Sequence, residues 1–372
     1  GPIPYSKMQN GTFSVPYDSQ RDVYMAMIDD LDAAMETLYT FASAGDGILM
    51  RDFDISSFKG DSRLWVSFAN TLKLRMAIRM SGVEPEARRI AEEAVRDMAT
   101  YGLIDANAEN LSFSSDSRQN PFYTQATSTS WQDLRSNASI VMYMNAYEDP
   151  RRASYFSKSG YDGIYVGVRA GIQNVTPTDY ATYSYPLFAE KDPVPVMYAS
   201  ESWFLRAEGA LLGWTMGDTA ENLYNTGVKT SLELWGNGSS YETYIASETA
   251  PALSYADPRN KHNVSDFGTA VSVKWADDGN ELERIITQKW IANHMIGHEA
   301  WADVRRTGYP RLLQVVNNLT GGIWGNVDSS KGMRRLHYPQ SEYDNNRENV
   351  LRGVELLGGS DLHGTDVWWA KK

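Results

Sequence analysis

Gln288-Lys289-Trp290, followed by Glu299-Ala300-Trp301-Ala302-Asp303-Val304-Arg305-Arg306-Thr307-Gly308-Tyr309-Pro310, is the stretch on which the reading of this chain turns. Two adjacent arginines, an aspartate and two tryptophans crowd the end of an expected helix that Gly308 and Pro310 stop. Arginine pairs with carboxylates and stacks on aromatic faces, so this composition suits a packed structural corner. It has no catalytic layout.

Working outward, helical signals flank this corner on both sides. Ser19 to Asp22 forms a capping pattern, with Tyr24, Met27, Ile28, Leu31, Met35 and Leu38 on one face. Asp61 caps a second helix carrying Leu64, Trp65, Phe68, Ala69, Leu72 and Met76. Pro85 opens a third that Gly102 ends. Helices resume at Ser200, and the spacing predicts two antiparallel helices around the Gly217-Asp218 turn. Small residues at Ala207, Ala220 and Gly227 let them approach closely, as in a tetratricopeptide-type pair. A further helix is expected from about Glu281 to Met295, with Asn280 and Glu283 as a capping box. Between about 110 and 195 the chain is rich in Ser, Thr, Asn, Gly and Tyr. One helix is expected there, at Ala138 to Tyr147; the rest reads as loops and short strands. This gives a mainly α protein in one domain over 1–372. Its helical repeat parts lie at about 18–102, 198–236 and 280–310, and its loop-rich parts at about 110–195, 237–279 and 311–372.

The bulk numbers narrow the function. The 372 residues carry a net charge of −12, which argues against nucleic acid as a partner. There is no cysteine, hence no disulfide, thiolate metal site or cysteine nucleophile. No run of 18 or more apolar residues spans a membrane as a helix, and no signal peptide is visible. The abrupt Gly1-Pro2-Ile3-Pro4-Tyr5 opening reads as a loop that continues an upstream segment.

Motifs for chemistry are sparse. His294 and His298 have the spacing of a zinc-protease helix, but Met295 stands where the general base belongs, so two ordinary histidines are expected. Asp52, Asp54 and Ser56 alternate like the start of a calcium loop, yet Ser57 and Arg63 occupy the positions that need Gly and Glu. No cofactor is expected, with calcium at an irregular site as the single alternative. Phosphate-loop, nucleophile-elbow and dinucleotide motifs are missing. The aromatic loops are the better lead. The chain has 22 Tyr and 11 Trp. Phe122, Tyr123 and Trp131 lie in one polar loop; Tyr161, Tyr165 and Tyr183 lie in another. Flat rings stack on the C–H faces of sugars while neighbouring polar groups meet the hydroxyls, so these six are the candidate ligand contacts. The opposing expectation is that the rings pack the loops onto the helices.

Six segments in order resemble the SusD-like (RagB/SusD) family. They are Gly1 to Ser6, Leu64 to Arg79, Glu201 to Gly213, Lys289 to Pro310, Arg334 to Pro339 with Glu342 and Asn349-Val350, and the ending Trp368-Trp369. The resemblance implies four tetratricopeptide-like helix pairs on one side and an irregular ligand-bearing region on the other. It implies a surface lipoprotein of the outer membrane, anchored through an N-terminal cysteine that this chain lacks. Such a protein binds a glycan without catalysis and delivers it to a SusC-like TonB-dependent transporter. A peptide-binding member of the same family is the alternative, and a glycan hydrolase the second; a pure helical scaffold would bind no small ligand. Family blocks such as Trp301, Arg305 and Arg306 are structural in this reading, not ligand contacts.

Overall fold

The computed structural model describes residues 1–8, 11, 14–115, 119–126 and 134–371. Its longer helices are α1 (Gln20–Ala44), α2 (Ser62–Arg79), α3 (Ala87–Arg96), α4 (Ala138–Ala146), α5 (Ala199–Leu211), α6 (Ala220–Leu234), α7 (Glu281–Ala292), α8 (Gly297–Thr307) and α9 (Arg347–Leu357). Two antiparallel pairs of short strands complete it, β1 (Leu111–Phe113) with β2 (Val194–Met197) and β3 (Ala252–Tyr255) with β4 (Val264–Thr269). The fold is mainly helical, as expected. Among the described residues no helix is long and apolar enough to cross a membrane.

Local chemistry sets the helix starts. Ser19 accepts the Asp22 N–H, Asp61 accepts those of Arg63 and Leu64, and Asn137 accepts that of Ser139 at the head of α4. The expected box at Asn280 does not form: the residue has a φ of −111° and a ψ of 15°, outside the extended region usual for a cap, and its side chain makes no cap hydrogen bond. α7 also stops short of Met295, which takes a left-handed φ of 73° before α8 begins.

α5 and α6 form the antiparallel pair. α2 packs on α1 and α3, and α7 packs on α5 and α6. One large core joins these helices through Leu74, Ile78, Ile90, Phe204, Leu223, Tyr224 and Ile285. A Cβ on Gly227 would stand only 3.0 Å from the Phe204 ring, which is why glycine sits at this helix contact. The irregular region has its own smaller core of Met142, Tyr143, Tyr180, Tyr183, Leu253 and Tyr255.

The corner between α7 and α8 is a buried ion network. Lys289 meets Asp303 at 2.9 Å, and Arg306 bridges Asp303 at 3.1 Å and also bonds Glu208 of α5. Arg75 of α2 holds both Glu201 oxygens at 2.7 Å, and Arg79 bonds Glu299. Burial alone would raise the Asp303 carboxyl. Lys289, Arg306 and Arg79 outweigh it and hold that carboxyl below the usual range. Gln288 reaches the other way, accepting Arg151 Nη2 at 2.9 Å and donating to Tyr244 Oη at 3.0 Å. The opening stretch of sequence is thus the pin that joins α2, α5, α7 and α8.

Candidate ligand cleft

The loops of the irregular region meet the ends of α6 and α7 at a cleft of about 440 Å³. The β1–β2 pair forms one wall. It is held in register by Leu111 opposite Met197 and Phe113 opposite Val194, with an irregularity after Leu111. Asn110 ties this wall to α5 by accepting the Ala199 N–H at 2.7 Å. Asn120 accepts the Phe122 N–H at 2.8 Å and donates to the Asp192 carbonyl at 2.9 Å, closing the opposite loop. These amides are spent on backbone groups, so the cleft keeps an apolar floor.

That floor is aromatic. Phe122 and Phe188 stack with centroids 5.5 Å apart and an interplanar angle of 26°. Trp235, just past α6, and His294, just past α7, line the far end together with Tyr198. Tyr155 lies beneath, stacked on the His294 ring at 4.0 Å and edge-on to Trp235 at 4.7 Å. Burial pushes the His294 imidazole down to about 3, so it is neutral at ordinary pH. One carboxylate, Asp192, lines the cleft, and its Oδ2 accepts the Ala189 N–H at 2.7 Å. Glycoside hydrolysis needs two carboxylates facing each other across a bond. The described residues of this cleft offer an apolar platform with a polar rim, which suits binding.

The six sequence candidates scatter. Phe122 lines the cleft, and Tyr123 is half-buried on the same short turn. Trp131 lies outside the described residues. Tyr183 is 1% exposed, with its hydroxyl on Asp257, so it presents no stacking face. Tyr161 is half-buried, edge-on to Tyr183 at 5.5 Å. Tyr165 is half-buried under the Arg152 guanidinium at 5.4 Å. For these three the packing expectation describes the positions better: Tyr161 and Tyr183 pack in the smaller core, and Tyr165 packs on a separate cluster of Val141, Met144 and Tyr155. Phe188, Tyr198, Trp235 and His294 are the cleft residues that sequence reasoning passed over. A tryptophan directly before Gly236 at a helix end was the one readable signal.

His294 and His298 part company. His294 is 8% exposed in its aromatic stack, whereas His298 sits on α8 with its ring in solvent. No group of three or more His, Asp or Glu among the described residues could hold a metal. In the calcium-like loop, the Asp54 carboxylate accepts from Ser56 N at 2.8 Å, Gly60 N at 2.7 Å and Trp65 Nε1 at 3.1 Å. Its oxygens organise the turn before α2.

The sequence matches the SusD-like family, described as "Susd and RagB outer membrane lipoprotein", over residues 1–370, and the chain belongs to that family. Within it, a chitin-binding SusD homologue from Flavobacterium johnsoniae superposes with a TM-score of 0.92 at 39% identity, covering 100% of this chain and 77% of that one. A SusD homologue from Bacteroides uniformis gives 0.90 at 41%, and a SusD-like protein from Bacteroides thetaiotaomicron 0.89 at 40%, each with the same two coverages. No curated protein matches.

Proposed function

We propose that this chain is a non-catalytic glycan-binding subunit of the outer-membrane surface. The cleft lined by Phe122, Phe188 and Trp235 receives sugar rings on their apolar faces. The protein is lipid-anchored through a cysteine upstream of Gly1 and passes its oligosaccharide to a SusC-like TonB-dependent transporter. The observation that carries the reading is the aromatic floor of a cleft in which the Asn110 and Asn120 side-chain oxygens are already committed to backbone N–H groups. Membership of a family of surface lipoproteins supports it, as does the likeness to a chitin-binding homologue. Tyr123, which follows Phe122 on the same short helix, belongs to the same proposal as a ligand contact, as does Trp131.

Calorimetry with chitohexaose, a panel of other neutral oligosaccharides and a panel of peptides tests it. Removing one stacking ring by Phe188→Ala takes away about 1–1.5 kcal/mol, or roughly tenfold in affinity. Binding confined to the peptide panel would move the protein to the peptide-binding alternative. Turnover of any glycan, abolished by a carboxylate substitution, would make it a hydrolase.

A further inference from the structure

A second and larger cleft, about 730 Å³, lies at the far end of α8. It is bounded by the last turn of α8, the segment 310–315, the turn 329–332, Arg334 and Asp366. Its charge is opposite to that of the chain as a whole. Arg305, Arg311, Lys331 and Arg334 line it against one carboxylate, Asp366, in a protein of net charge −12.

Most arginines here are matched by acids within ion-pair distance, Arg334 with Asp366 at 2.5 Å among them. Arg305, Arg311 and Lys331 have no such partner among the described residues. Arg305 lies 3.5 Å over the Trp301 ring and 4.7 Å from that of Trp369. Its Nη1 donates to the Arg334 carbonyl at 2.8 Å and its Nε reaches the Trp301 carbonyl at 3.4 Å, so Nη2 has no hydrogen-bond partner among the described residues. Burial, then the nearby cations Arg79 and Arg334, lower this guanidinium to about 10. A cation held there without a close ion-pair partner is better off with an anion beside it. Among the described residues Arg311 donates only to the Thr269 carbonyl, at 3.3 Å, and lies 5.8 Å from the centre of the Phe267 ring. The nearby Asp328 spends its Oδ1 on Ser330 N at 2.8 Å and Ser330 Oγ at 2.6 Å and makes no close ion pair with Lys331.

The rest of the lining suits a sugar ring. Ser329 Oγ accepts from Asn318 and keeps its own O–H to donate, and the Gln314 side chain has no partner among the described residues. Exposed Leu312 and Val315 add an apolar wall. Clefts of this size hold small ligands.

We infer that this groove is a second binding site, for an acidic saccharide whose carboxylate or sulfate meets Arg305, Arg311 and Lys331. It stands apart from the aromatic cleft and does not depend on the reading given to that cleft. Titration of the whole chain at low salt with a galacturonate octamer, a heparin octasaccharide, hexaglutamate and chitohexaose tests it. At least one acidic sugar is expected to bind, more than fivefold more weakly when salt rises from 50 to 500 mM. Whichever binds identifies the anion. The surface variant Arg311→Glu/Lys331→Glu is expected to weaken it at least tenfold and to leave chitohexaose unchanged; Arg305→Gln is a second variant. Absence of acidic-sugar binding by folded wild type at millimolar concentration would overturn the proposal. So would equal binding by the surface variant, or hexaglutamate binding as tightly as the sugars.

Discussion

Asp303→Asn is the perturbation that probes the α7–α8 corner most directly. Lys289 is 1% exposed, and its one ion-pair partner among the described residues is Asp303, at 2.9 Å. The substitution leaves the buried ammonium without its ion-pair partner, while Arg306 keeps Glu208. Breaking a buried pair from one side costs about 3–5 kcal/mol. Unfolding entropy of about 2.1 cal/mol/K per residue gives roughly 0.8 kcal/mol/K for a chain of this length, so Tm should fall by about 4–6 °C. Scanning calorimetry at pH 7 measures it. The double variant Lys289→Met/Asp303→Leu removes both charges and should lose less than the single change, because no orphan charge remains. The sign with pH is fixed by the lowered Asp303 carboxyl. Its contribution is full above the unfolded value of about 4 and is lost as pH falls below it, so wild type and Asp303→Asn converge in acid. A single-variant shift under 1 °C, or a double variant worse than the single, would refute this account.

Three further outcomes are expected. His294, lowered by burial to about 3 from an ordinary 6.5, stays neutral when folded; stability present above pH 6.5 is therefore lost as pH falls toward 3, at about 1.4 kcal/mol per pH unit. Thermal melts between pH 7 and 5 should show this slope in wild type and a flatter one in His294→Phe. Gly167→Ala should destabilise by at least about 1–3 kcal/mol, since its Cβ would meet the Asn137 carbonyl carbon and oxygen at 2.6 Å, and backbone cannot step aside as a side chain can. Urea unfolding reads it. Phe188→Ala should weaken neutral-glycan binding roughly tenfold while moving Tm by no more than about 2 °C, as its ring is half-exposed.

Elements with local causes were legible before the structure. The caps at Ser19 and Asp61 and the α5–α6 pair follow from residues a few positions apart, and all formed. Legibility ended where the partner was distant. Tyr183 reads like any loop tyrosine until its hydroxyl meets Asp257, 74 positions away. The cleft draws Phe122, Phe188, Trp235 and His294 from four separate segments, and no window of sequence contains two of them. The same holds for charge: Arg305 and Arg306 are neighbours, yet one bonds buried acids and the other faces a groove. A helix turns each successive side chain by 100°, so adjacent identical residues meet unlike surroundings.

That divergence explains how the corner serves both clefts. α7 ends beside His294 in the aromatic cleft, and the last turn of α8 places Arg305 in the basic one. Between them the Lys289–Asp303 and Arg306–Asp303 pairs fix how the two helices sit on one another. Buried pairs are weak sources of net stability, since desolvation offsets most of their attraction. Their geometry is demanding, though, because each hydrogen-bonded charge tolerates little displacement. A corner built this way sets the positions of both surfaces, while the loops supply most of their lining. Substitutions at Phe122, Phe188 or Lys331 should therefore alter ligand choice with little effect on the fold, whereas those at Lys289 or Asp303 should lower stability and weaken both sites together.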